Sequence, residues 1–254
     1  MTATATESAG TLLRDWRQRR NVSQLDLALR AGVSARHVSF IETGRSQPTS
    51  TMLLRLADNL DLPLREQNRL LLAGGYAPAH PEHRLADPPM AQVSAAITAI
   101  LTAHLPFPAL VIDQGWDLVD ANDAVYAMLD GVAPELVEPP INVIRLSLHQ
   151  DGLAPRIANL TEWRNHLIHR LRKEHDVSAD PRLAELIEEF GHETKPSEAS
   201  PELVVPLRLQ AGAATLSFLS TTTVFGTPRE VTLSELAIEA FYPADQETRD
   251  LLVR

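Results

Sequence analysis

Between Val22 and Pro48 the sequence reads VSQLDLALRAGVSARHVSFIETGRSQP, a run whose side chains suit the reading of base edges. If a helix starting after Ser34 turns Val38 and Ile41 inward, Ala35, Arg36, His37 and Phe40 face outward. Arg36 can bond guanine O6 and N7 together, His37 a base edge or a phosphate, and Ala35 or Phe40 can press on a thymine methyl. Each also has an ordinary alternative as a solvated side chain, and Phe40 a further one in a domain interface. Glu42 would repel DNA, so a hydrogen bond within its own domain is expected of it. Catalysis finds little to work with: there is no Cys, no GxSxG, no HExxH and no Gly-rich phosphate loop. The hydroxyl run Thr221–Thr222–Thr223 is explained by β-propensity alone. His166 and His169 are spaced like metal ligands, but Arg164 and Arg170 flank them, with no Cys and no clear third ligand. No catalytic residue, metal or cofactor is therefore assigned.

Reading bases requires a rigid support, and the N-terminal third supplies five short helices. Apolar residues recur three or four apart, with helix-start residues before each run. The first spans about residues 11–20 with Leu12, Leu13 and Trp16 inward, after a flexible segment 1–10. The second starts at Ser23, puts Leu25, Ala28 and Leu29 on one side and stops at Gly32. Ser34 caps the third, which closes at Gly44. A fourth covers about 50–60 with Leu53, Leu54, Ala57 and Leu60 inward. The fifth opens at Pro63 and runs to Ala73.

The spacing of Ser23–Gln24, Ala28, Gly32, Val33–Ser34, Ile41–Glu42 and Gly44–Arg45 resembles the Xre/Cro-type helix-turn-helix family. It fits the mechanics: Gly32 supplies a left-handed turn, Ala28 lets two helices cross closely, and Ser34 caps the helix that enters the groove. The resemblance implies that Gln24 and Arg45 hold phosphates, and Ser34, at the start of the groove helix, is counted with them in the DNA-binding set.

Residues 77–89 contain four prolines and two histidines and read as a linker. Beyond it, 109–113 and 117–120 suggest two strands around a turn at Gln114–Gly115–Trp116, with a helix over 122–129. Helices follow over 159–174 and 182–190, then strands over 203–209 and 215–224; residues 231–239 fit strand or helix. This order favours an α+β domain around an antiparallel sheet. The segment 90–254 resembles the ligand-binding domain of MmyB-like (MltR-like) regulators, whose fold is related to PAS domains. The marks are PALVIDQGWDLVDAN, NVIRLSLHQDGLAPRIANLTEW and LSFLSTTTVFGTPREVTLSELAIEAFYPAD. The resemblance implies a pocket for a fatty-acid-like or other small apolar ligand. Asn142, Arg145, His149, Arg156, Asn159 and Trp163 are the candidate pocket residues, with Arg145 or His149 able to fix a carboxylate. The alternative keeps Trp163 in the core and pairs Arg156 with Asp151.

The net charge of −10 is unevenly spread. Residues 1–80 carry ten Arg against seven Asp and Glu, and residues 81–254 thirteen cations against twenty-six acids. Basic charge thus collects where a phosphate backbone would lie. The absence of Cys, of a secretory leader and of a long apolar run points to a cytoplasmic protein. The combined expectation is a non-enzymatic regulator that binds a double-stranded DNA operator as a homodimer and senses a small ligand. The alternatives are an adaptor whose helix-turn-helix binds protein, and a regulator whose PAS-like domain only dimerises.

Overall fold

The computed structural model describes residues 7–193 and 204–253. The chain divides into two compact units, Met1–Glu82 with Pro228–Val231, and His83–Thr227 with Thr232–Arg254.

The first unit holds α1 (Ala9–Arg19), α2 (Gln24–Ala31), α3 (Ala35–Glu42), α4 (Ser50–Asp58) and α5 (Leu64–Ala73). Four of these starts are capped by a hydroxyl that accepts a backbone N–H in the first turn: Ser8 from Thr11, Ser23 from Asp26, Ser34 from His37 and Thr49 from Met52. Leu13, Leu27, Ile41, Leu53, Leu56 and Leu70 are fully buried between the helices.

Three expectations need correction here. Helix α1 begins at Ala9, so the end of the segment read as flexible is helical and buried; residues 1–6 lie outside the described residues. Ser8 is the reason, because its hydroxyl caps the helix two residues before the predicted start. On α2, Leu25 and Leu29 are 59% and 71% exposed, while Leu27, Ala28 and Ala31 are buried. Three alternating leucines cannot share one helical face, and the small Ala28 and Ala31 mark the side that lets helices approach. On α4, Leu56 is fully buried and Leu54 only partly so. The stretch read as linker is also partly fastened to the first unit. Asn68 on α5 accepts the N–H groups of Ala79 and His80 and donates to the His80 carbonyl, giving this proline-rich backbone the partners a strand or helix would otherwise provide.

The second unit is α+β. In chain order it contains α6 (Ala91–Ala103), β1 (Ala109–Ile112), β2 (Leu118–Ala121), α7 (Asp123–Tyr126), α8 (Val143–Leu148), α9 (Leu160–Ser178) and α10 (Pro181–Phe190). There follow β3 (Leu207–Ala211), β4 (Ala214–Val224), α11 (Val231–Glu235, all but its first residue in this unit), β5 (Ala237–Pro243) and α12 (Gln246–Leu252). The ambiguous stretch is therefore a short helix and then a strand, and the expected strand start at 203 lies outside the described residues. The sheet order is β2-β1-β5-β4-β3, antiparallel at every step. Strand β1 is buried on both faces. Leu110 and Ile112 join the large core formed with α8, α9 and α10, whereas Ala109 and Val111 join a second core with Ile97 and Leu101 of α6. The alternation continues on β5, where Ile238 belongs with α6 and Glu239 faces the opposite side.

Candidate functional site

The helix-turn-helix is built around one left-handed residue. Gly32 ends α2 at φ 62°, and Val33 donates back to the Ala28 carbonyl at 2.9 Å, so α2 stops there and α3 starts at Ala35. Val38 and Ile41 pin α3 to the bundle. At its far end the Glu42 carboxylate is buried and accepts from three sources: Arg17 Nε at 2.6 Å, Arg17 Nη2 at 3.0 Å and Gln24 Nε2 at 2.7 Å. The hydrogen bond to Glu42 is the main cause that raises the Arg17 pKa above its ordinary value, against the opposing effect of burial. Glu42 thus makes the intradomain contact read for it, and it also fixes the Gln24 amide at the start of α2.

The outward surface of α3 brings Arg36, Phe40 and Arg45 together. The Arg36 guanidinium carbon lies 5.0 Å from the centre of the Phe40 ring, and that of Arg45 6.0 Å. Gly44, at φ 71°, turns the chain so that Arg45 and Ser46 donate to the Phe40 carbonyl. Ala35, His37 and Phe40 are half-buried, while Arg36 and Arg45 are exposed. Ser34 is occupied as the helix cap, accepting from the His37 N–H. The structure therefore sets two cations against one aromatic ring, an arrangement not read from the sequence.

The second unit contains a partly enclosed cavity of about 70 Å³, with almost wholly apolar walls. The sheet contributes Leu110 and Phe241, α8 contributes Ile144 and Leu146, and α9 contributes Trp163 and Leu167. The polar lining is confined to Ser147, Ser220, Arg170 and Glu239. Arg170 donates to both Glu239 oxygens and, through Nε at 2.9 Å, to Glu174. Its guanidinium carbon sits 4.5 Å from the Trp116 ring centre, and the Trp116 indole N–H donates to Glu174 at 2.7 Å. Burial disfavours the Arg170 charge, but the hydrogen bonds and field of Glu239, followed by Glu174, outweigh it and raise the pKa. His166, stacked on Trp163 at 5.4 Å, is shifted the other way: burial first and then the charge of Arg170 push it below the ordinary imidazole range.

Of the six predicted pocket residues, Trp163 lines this cavity and the other five serve the framework. Asn142 donates to the Gly115 carbonyl and to Asp117 and caps α8. Arg145 pairs with Glu189, and His149 lies beside Asp151 at 3.7 Å. Arg156 bonds the carbonyls of Met128, Asp130 and Gln210 rather than Asp151. Asn159 ties β3 to α9 through the Pro206 carbonyl and the Arg208 N–H. The segment from Asn142 to Trp163 borders the cavity through its apolar members and Ser147. The missed residues carried a signal: Trp163, Leu167, Arg170 and Glu174 recur three or four apart on α9, so a cation stands on the inward stripe. Glu239 likewise interrupts an apolar strand.

Residues 93–254 match the family described as the MmyB-like transcription regulator ligand binding domain, and residues 13–67 match a helix-turn-helix family. The chain is 33% identical over 126 residues to an uncharacterized HTH-type transcriptional regulator of Mycobacterium bovis, and equally to two so described from strains of Mycobacterium tuberculosis. The match covers 50% of this chain and 45% of each relative, so the aligned chain spans about half the length of these relatives. Among the described residues no helix is long and apolar enough to cross a membrane. With a helix-turn-helix unit followed by a ligand-binding domain over most of its length, the chain belongs to the MmyB-like transcription regulators.

Proposed function

We propose that the protein is a sequence-specific, homodimeric DNA-binding regulator whose second domain senses a small ligand with an apolar, fatty-acid-like body. It acts by binding, not by catalysis. The observation that carries this reading is the apolar cavity in the second unit, a space that gripping DNA does not require. On the DNA side, Arg36 reads a base with Ala35, His37 and Phe40 beside it, while Gln24, Ser34 and Arg45 serve the phosphates. Two copies are needed because paired half-sites mirror the symmetry of a dimer. Occupancy of the cavity changes operator affinity, and operator changes ligand affinity by the same factor, about 5–150-fold in such systems. To test it, an operator is selected from random duplexes with the full chain, and its affinity is measured with and without long-chain alcohols and acids. Selection of no preferred sequence, or a bound lipid that leaves operator affinity unchanged, contradicts the proposal.

A second reading is favoured by Leu25 and Leu29, exposed one turn apart on α2. A helix bundle that presents such a pair is suited to a protein partner. DNA binding must weaken steeply with salt through counterion release, whereas an apolar protein contact does not.

A further inference from the structure

We infer that the cavity selects ligands whose polar end is uncharged, such as alcohols, esters, amides or un-ionised acids, over ionised carboxylates. The inference rests on the reading of this cavity as the ligand site. Its ground is the charge already present at the polar end. One cation, Arg170, is held by two carboxylates: Glu239 grips both terminal nitrogens and Glu174 takes Nε. Trp116 covers a face of the guanidinium. The cluster has one positive and two negative groups, so a ligand carboxylate would bring a third anion to a single cation.

Exchange does not relieve this. To take Arg170, the ligand would have to displace Glu239, which is only 3% exposed. Glu239 sits on β5 opposite Leu110 of β1 and Thr222 of β4, hydrogen-bonded strands on both sides, so its backbone cannot swing the carboxylate into water. An uncovered carboxylate at that depth is among the most costly groups a protein can hold. His166 also feels this cluster, and it is held toward its neutral form, so it adds no compensating cation near neutrality. What remains for a ligand is neutral: the hydroxyls of Ser147 and Ser220 on otherwise apolar walls. Ser147 Oγ accepts from the Trp163 indole at 3.0 Å, which leaves its own O–H to serve an acceptor on the ligand.

The test uses the full chain and three probes of equal chain length, decanol, methyl decanoate and decanoate, at about pH 8, where a free carboxylic acid is ionised. Trp116 and Trp163 line the cavity, so binding is followed by tryptophan fluorescence. Decanol and methyl decanoate are expected to bind about tenfold or more tightly than decanoate. In Glu239→Gln, which frees part of the Arg170 charge, the gap should narrow by about tenfold. Decanoate binding as tightly as decanol in the unaltered protein overturns the inference while leaving the ligand-sensing reading intact. An unchanged gap in folded Glu239→Gln also overturns it. Binding of none of the probes overturns both the inference and the reading beneath it. Should Glu239→Gln fail to fold, the three-probe comparison on the unaltered protein decides alone.

Discussion

Arg17 and Glu42 form a buried, two-point ion pair that joins the last turn of α1 to the last residue of α3, with contacts of 2.6 and 3.0 Å. Their side chains are 10% and 1% exposed. Arg17 also donates to the Val22 carbonyl at 2.8 Å, so one guanidinium serves α3 and the entry to α2. Glu42→Ala strands that cation and should destabilise the first unit by about 3–5 kcal/mol. Chemical denaturation of the full chain measures it. A double variant, Arg17→Met with Glu42→Leu, should recover much of the loss, and failure to do so would assign the pair a role beyond charge compensation.

A side chain at residue 10 has no room. A Cβ there would stand 2.4 Å from the Ile41 carbonyl oxygen and 3.0 Å from that of Glu42, both backbone atoms. Gly10→Ala should therefore force α1 away from the end of α3, costing about 1–3 kcal/mol as overpacking does. A thermal melt as stable as that of the unaltered chain would show that α1 shifts freely.

On the outer surface of α3, Arg36→Ala should weaken specific binding by about 1–3 kcal/mol and relax preference at one base position. Arg45→Ala should weaken every sequence alike and lower the slope of affinity against salt. Phe40→Ala removes the ring both cations rest on, each contact contributing about 0.5–1 kcal/mol, and should weaken both kinds of contact together. Equal loss on all duplexes in the first variant moves Arg36 to the phosphates.

His166 predicts an acid-sensitive second unit. Its pKa in the folded chain lies below the unfolded value, so as pH falls through the ordinary histidine range the unfolded chain takes the proton first. Its contribution is complete above the unfolded pKa, shrinks as pH drops and stops shrinking below the folded pKa. Urea denaturation over this range should show a shallower pH slope in His166→Asn. An identical slope would place the proton uptake on other histidines.

The helical unit was legible because its signals are local. Ser23, Gly32 and Ser34 act within a few residues of where they stand, and each cap and turn is formed by the residue that announced it. The cavity was legible only as a region. Arg170 and Glu239 are 69 positions apart, and nothing local states that they meet. The polar residues between Asn142 and Asn159 drew attention by type, yet types that suit a ligand suit carbonyl groups equally well. Arg156 satisfies three carbonyls and Asn142 braces a turn, so their polarity was spent on the backbone.

Strand β5 serves two masters in strict alternation, Ile238 packing toward α6 and Glu239 toward the cavity. The same holds for Val111 and Leu110 on β1. Such a strand separates two kinds of mutational freedom along a single thread of sequence. Substitutions at every second residue can remodel what the protein recognises, while their immediate neighbours keep the scaffold closed on its other side. A library confined to positions 220 of β4 and 241 of β5, which line the cavity and are only half-buried, should therefore yield folded variants with altered ligand choice. The same number of changes at 238 and 111 should yield mostly unfolded chains.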